Sequence, residues 1–213
     1  MPVDMPPSIV AAKPAAHVRA LMTRPPIANP MSPNNRHFKV QFLPDDQVSI
    51  PFIKHMRLPT PGWWVTVPGN SGSPNGLGYN FTPQEKFDNK AGLSISCHGR
   101  KMGDDNPVIG ILKKEPHVLT QAERELLDPT MSKAEKAYTR MLDGRSALVR
   151  EFFLTSKQHY HVEFNANSNG STIMIPATIT FSARPASYKL YIKRVKASLD
   201  TIKWNDMEMT GED

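Results

Sequence analysis

Apolar and polar positions alternate along Ala91–Cys97, where Leu93, Ile95 and Cys97 share one parity and Ser94 and Ser96 the other. A period of two predicts a half-buried strand. Further strands are predicted over His37–Leu43, closed by Pro44-Asp45-Asp46; over Gly62–Val67, between Pro61 and Pro68; and over Val108–Leu112. Gly69–Gly78 holds four glycines and a proline among ten residues, the composition of a surface loop. Two helix starts follow. Thr120 precedes Glu123 by three residues and Ser132 precedes Glu135 by three, the spacing of a capping box, in which hydroxyl and carboxylate satisfy each other's backbone N–H. Pro129 separates these two helices, and Asp143-Gly144 ends the second.

Three more strands are predicted over Ser146–Leu154, Gln158–Asn165 and Thr172–Ser182, with Asn169-Gly170 as the turn between the last two. From Ala186 to about Lys203 the period changes to 3.6. Tyr188, Tyr191, Ile192, Val195, Leu199 and Ile202 form an apolar stripe, and Lys189, Lys193, Lys196 and Lys203 lie across from it. Strands, helices, strands, then a helix is the order of an α+β fold. The expected architecture is a twisted antiparallel sheet with a C-terminal packing helix and a two-helix insertion.

Proline divides the chain. Thirteen of its 20 prolines lie in the first 68 residues, and residues 1–36 show no apolar periodicity. Proline gives no N–H to a ladder or helix and restricts the residue before it, so this segment is predicted to be an extended arm. Residues 37–205 form the expected α+β domain, and Asp206, Glu208, Glu212 and Asp213 make 206–213 an acidic tail. The net charge is +6; up to Leu43 five cations (Lys13, Arg19, Arg24, Arg36, Lys39) face only Asp4. That asymmetry fits an acidic partner surface, and less well a nucleic acid, because the lysines of the last helix have no aromatic residues interleaved on their face.

No apolar run approaches the ~18 residues of a membrane span. Pro14, His17 and Arg19 break the one candidate signal-peptide core, which predicts cytoplasmic synthesis without a signal peptide and a final place in a virion or another assembled complex. A single cysteine, Cys97, excludes an internal disulfide.

Gly144-Arg145-Ser146-Ala147 opens the C-terminal meander, which ends in Ile179-Thr180-Phe181-Ser182. The helix after it begins with Tyr188 and Tyr191 and closes on Ser198-Leu199-Asp200-Thr201-Ile202-Lys203-Trp204. Over about 60 residues this pattern resembles the C-terminal half of the Mog1/PsbP/DcrB-like fold. The resemblance implies a final helix packed on an antiparallel sheet, and a small non-enzymatic binder. Those families lack the N-terminal arm.

Catalytic motifs fare poorly beside simpler readings. Gly69-Asn70-Ser71-Gly72-Ser73-Pro74 is similar to the nucleophile loop of bacterial glutamyl-endopeptidase-type serine proteases, with Ser71 as the attacking residue. That chemistry needs a histidine and an aspartate on a preceding β-barrel, whereas here the preceding residues are mostly the arm. His159, His161 and Glu163 alternate along one strand and share a face, as ligands of zinc or iron would. Such a run on an antiparallel sheet with one wet face is more often just that solvated face, and this is the expected reading, with Phe152, Tyr160, Val162 and Phe164 on the core side. Cys97 and His98 are neighbours in a strand, point to opposite faces and cannot act as a pair. Neither a metal nor a cofactor is expected.

The expected function is that of a structural or accessory subunit of a multiprotein assembly, such as a phage particle or a secretion apparatus. An immunity- or chaperone-like protein binding one target is the alternative, and a serine hydrolase acting through Ser71 comes third. Partner-binding candidates are Arg19 and Arg24 in the arm, Trp63 and Trp64 as aromatic anchors, and Lys189, Lys193 and Lys196 on the last helix.

Overall fold

The computed structural model describes residues 40–59, 64–68, 77–83, 91–99, 101–103, 105–127, 134–167 and 173–205, with main chain alone for 64–68 and 77. Among them are eleven strands and three helices, an α+β fold built mostly of sheet. The larger sheet contains β4 (Trp64–Pro68), β5 (Leu77–Thr82), β6 (Gly92–Cys97), β7 (Lys136–Leu142), β8 (Arg145–Leu154), β9 (Lys157–Asn165) and β10 (Pro176–Ala183). Their order is β4-β5-β6-β10-β9-β8-β7, antiparallel throughout. A smaller antiparallel sheet orders β1 (Gln41–Leu43), β2 (Gln47–Ile50), β3 (Ile53–Arg57) and β11 (Lys203–Trp204) as β1-β2-β3-β11. The helices are α1 (Pro107–Leu112), α2 (Gln121–Leu126) and α3 (Pro185–Leu199).

Alternation decides what each sheet face buries. Leu93, Ile95 and Cys97 of β6, Ala177, Ile179 and Phe181 of β10, and Tyr160, Val162 and Phe164 of β9 all point into the main core. Removing each large apolar side chain from water contributes ~1.5–3 kcal/mol before the entropy of ordering it. The small sheet and α3 cover this face together. Tyr188 of α3 stacks on Phe181 with ring centroids 5.6 Å apart. Phe164 meets Phe52 at 6.1 Å and Trp204 at 4.8 Å. The Arg145 guanidinium lies 4.7 Å from the Trp204 ring centroid.

The opposite face is divided. Over β7 and β8 it carries a second apolar cluster, in which Val108, Ile111 and Leu112 of α1, with Leu119, pack with Leu148 and Phe152. Phe152 therefore belongs on this side and not with Tyr160 and Phe164: it pairs with His159 across the ladder and stacks on its ring at 4.9 Å. Over β5, β6 and β10 the same face is polar. Asn80, Ser94, Thr180, His161 and Arg150 stand in one cross-strand row, and Gly78, Ser96, Thr178 and Glu163 in the next.

Three expectations give way to different elements. Val108–Leu112 is not a strand but the body of α1, because Pro107 stands in its first turn and the Asn106 side chain accepts from the Val108 N–H at 2.9 Å. The helix predicted to end at Asp143-Gly144 is strand β7, whose Leu142 pairs with Arg145 across a two-residue turn. Asp143 (φ 46°) and Gly144 (φ 82°) are both left-handed, as a primed hairpin turn requires. The same Asp-Gly serves a helix end or a hairpin, and here the hairpin forms. The insertion does hold two helices, but they are α1 and α2. Finally, α3 ends at Leu199, and Lys203-Trp204 turn away to pair with β3.

Other expectations hold with shifted ends. The capping box at Thr120 is complete: Glu123 N–H donates to the Thr120 hydroxyl at 3.3 Å and Thr120 N–H to the Glu123 carboxylate at 2.9 Å. That carboxylate also accepts from Lys114 Nζ at 2.6 Å, and these bonds hold its pKa down at about 2. Strands β8, β9 and β10 fall within a few residues of their predicted places. The predicted first strand survives as Gln41–Leu43, and Leu77-Gly78 open β5 where a loop was expected to continue. The arm with Arg19 and Arg24, the tail 206–213, Trp63, Ser71, Ser132 and Asn169-Gly170 lie outside the described residues.

Candidate interaction face on the C-terminal helix

Helix α3 carries no aspartate or glutamate from Pro185 to Leu199. Tyr188, Tyr191, Val195, Ser198 and Leu199 are buried against the sheets, which turns Ala186, Lys189, Leu190, Lys193, Arg194 and Ala197 outward. Leu190 is 60 % exposed, with Lys193 and Arg194 three and four residues on, in the next turn of the helix. Among the described residues Lys189, Lys193 and Arg194 form no ion pair. Two acids beside this helix are paired: Asp200, its C-cap, with Arg140, and Glu151 with Lys196.

Lys196, expected among the partner-binding residues, is thereby tied to its own sheet. Its ammonium lies 2.8 Å from Glu151 Oε1 and 4.9 Å from the Tyr160 ring centroid, and the Tyr188 hydroxyl donates to the same carboxylate at 3.4 Å. Arg57, exposed on β3, adds a cation beside the end of α3. Its carbonyl accepts from the Ser198 hydroxyl and its N–H donates to Thr201 Oγ1 at 2.9 Å, which pins it beside the end of α3 with its side chain exposed. Arg194 could have been found from the wheel that gave Tyr188 and Val195 their phase. Arg57 could not, since β3 carried no signal. Trp64 lies on β4 at the edge of the large sheet.

His159, His161 and Glu163 do share one face of β9, but each has its own partner. Glu163 accepts from Arg150 at 2.6 Å, His161 Nδ1 lies 2.8 Å from the Thr180 hydroxyl, and His159 stacks on Phe152. Burial, then the Arg150 guanidinium and His159, push the His161 pKa down to about 3, while burial raises that of Glu163 against the pull of Arg150. Among the described residues no group of three or more His, Cys, Asp or Glu is placed to hold a metal ion. Cys97 is fully buried, its thiol pushed up by burial, and His98 is exposed.

No family model, curated protein or solved structure matches the chain. Its function therefore has to be read from the arrangement itself. On that arrangement the outer side of α3 is a basic face with one exposed leucine.

Proposed function

We propose that this chain is a non-enzymatic structural subunit of a multiprotein assembly, of the kind that builds a phage particle or a bacterial secretion apparatus. The observation that carries the reading is the cluster of Lys189, Lys193 and Arg194, without ion pairs among the described residues, around exposed Leu190 on α3. Like charges held on one helix face repel one another, and an acidic partner surface relieves that repulsion while covering the leucine. The partner is another subunit, with several copies of this chain in the assembly, and the arm 1–36 lies along a neighbour as a polyproline segment that loses little entropy on docking. The acidic tail 206–213 supplies the matching charge on a second copy. The resemblance to Mog1/PsbP/DcrB-like binders points the same way, as does the occupation of His161 and Glu163 by Thr180 and Arg150. Among the described residues no helix is long and apolar enough to cross a membrane.

Sedimentation velocity of the full chain at low and high salt tests the reading. Association at low salt is expected, weakening as screening shortens the reach of the charges. Lys189→Glu with Lys193→Glu and Arg194→Glu should abolish it, and removal of 206–213 should weaken it. A chain that stays monomeric at low salt, or associates equally well with all three charges reversed, overturns the proposal.

A further inference from the structure

The polar face of the large sheet ends in an open hollow of about 220 Å³, lined by Asn80, Thr82, Gly92, Ser94, Ser182 and Lys157 among others. One liquid water occupies ~30 Å³, and pockets for drug-sized ligands run from ~300 Å³ upward, so the space suits a small solute with a few waters. Three of its walls are hydroxyls and its floor is Gly92, which has no side chain to fill it. Lys157 is half-buried and forms no ion pair among the described residues. No described lining residue is a carboxylate. Residues 84–90, which follow β5, contain Glu85, Asp88, Lys86 and Lys90, two charges of each sign.

A second cation stands at the same end. Ala183 pairs with Gln158 in the last register step of β10 and β9, and Arg184 continues the extended backbone (φ −61°, ψ 154°) one residue further. Strand parity places Arg184 on the Lys157 side of the sheet, exposed and, among the described residues, without an ion pair. His159 lies on the same face; burial, and then the Lys157 charge, hold its pKa below the usual histidine value against a backbone hydrogen bond with Leu154. Donor hydroxyls and an ammonium lining a small hollow, with Arg184 one register step beyond the β10–β9 pair, are complementary to an anion with several acceptor oxygens.

We infer that this hollow binds a tetrahedral oxyanion, the phosphate group of inorganic phosphate or of a small phosphate monoester. Lys157 supplies the charge, Ser94, Ser182 and Thr82 donate from the walls, and Arg184 closes the mouth. This site is separate from the outer face of α3 and does not depend on the docking proposed there.

Titration of the full chain with inorganic phosphate at constant ionic strength, followed by amide NMR, tests the inference. Saturable shifts are expected at Gly92, Ser94, Lys157 and Ser182, with Kd on the order of millimolar. Lys157→Ala should weaken binding at least tenfold and Ser94→Val severalfold, while Lys189→Ala leaves it unchanged. A parallel titration with glycerol 3-phosphate separates the sources: equal affinity identifies the free ion, and tighter binding the phosphate of a larger molecule. Shifts that do not saturate, that centre on α3, or that persist in Lys157→Ala overturn the proposal. Both variants are to be checked for an unchanged amide spectrum away from the hollow.

Discussion

Truncating Leu199 to alanine tests the packing on which the orientation of α3 rests. Leu199 is 1 % exposed and shares the main core with Tyr191, Val195 and Ile202. The change removes three carbons, about 2.4 kcal/mol of transfer free energy at ~0.8 kcal/mol each. If the neighbours stay in place, an unfilled volume of up to ~80 Å³ adds as much as ~2 kcal/mol at ~24 cal/mol per Å³. The expected loss is ~2.5–4.5 kcal/mol. For a domain of this size each kcal/mol lowers Tm by ~2–4 °C, so a fall of roughly 5–18 °C follows. Urea denaturation monitored by circular dichroism should show a lower midpoint at unchanged m, the sign of lost stability in a native state of the same extent. The control is Lys189→Glu with Lys193→Glu, whose side chains face water and should change stability by no more than about 0.5 kcal/mol. Should the charge reversals lower Tm by several degrees while Leu199→Ala leaves it in place, the assigned inner and outer faces of α3 are wrong, and the docking face with them.

Two further outcomes follow from the sheet. His161 is held neutral in the fold with its pKa at about 3 and takes up a proton near pH 6.5 once unfolded. The unfolded state therefore binds more protons between these values, and the stability this group contributes is complete above about pH 6.5 and declines as pH falls toward 3; His161→Gln should flatten that part of a stability–pH curve, and an NMR titration showing His161 protonated by pH 6 would refute the assignment. Gly144→Ala places a Cβ at φ 82° in the β7–β8 turn and should cost more than 1 kcal/mol, measured by thermal melting; a neutral result would contradict the hairpin.

The parts of the fold legible in the sequence are those where one face is wet and the other dry. Ala91–Cys97 and α3 are of that kind: β6 alternates because its serines face the polar side, and α3 has a single apolar stripe. Strand β8 reads less clearly, since both of its faces are covered. Ala147 and Val149 enter one core and Leu148 and Phe152 the other, which turns alternation into a continuous apolar run and left Phe152 on the wrong side. Val108–Leu112 is five residues of apolar run, too short for periodicity to separate strand from helix, and Asn106-Pro107 decided it. Strands β2 and β3 are short, shift register between Val48 and Ile50, and complete their sheet only with β11, so nothing local announces them. Of the docking face, the lysines were visible in the helical period. The internal engagement of Lys196 and the presence of Arg57 depend on β8 and β3 lying beside α3.

Asn205 joins the two ends of the described fold. Its N–H donates to the Phe52 carbonyl at 3.3 Å, its side-chain amide donates to the carbonyls of Ile50 and Pro51 at 3.3 and 2.7 Å, and its own carbonyl accepts from Arg145. The amide bonds span 155 and 154 residues of chain, and those of Ser198 and Thr201 with Arg57 span 141 and 144. During synthesis the ribosome therefore releases Val48, Ile50, Phe52, Ile53 and Met56 long before the residues that cover them exist. Local hairpins can form on the nascent chain, but β11 and the Asn205 bonds that complete the small sheet are missing until residues beyond 200 have emerged. Contacts of such long range make folding slow and leave an apolar surface waiting. A chain interrupted before Asn205 lacks β11 and these bonds and leaves part of that surface uncovered, which makes it a substrate for chaperones and proteases.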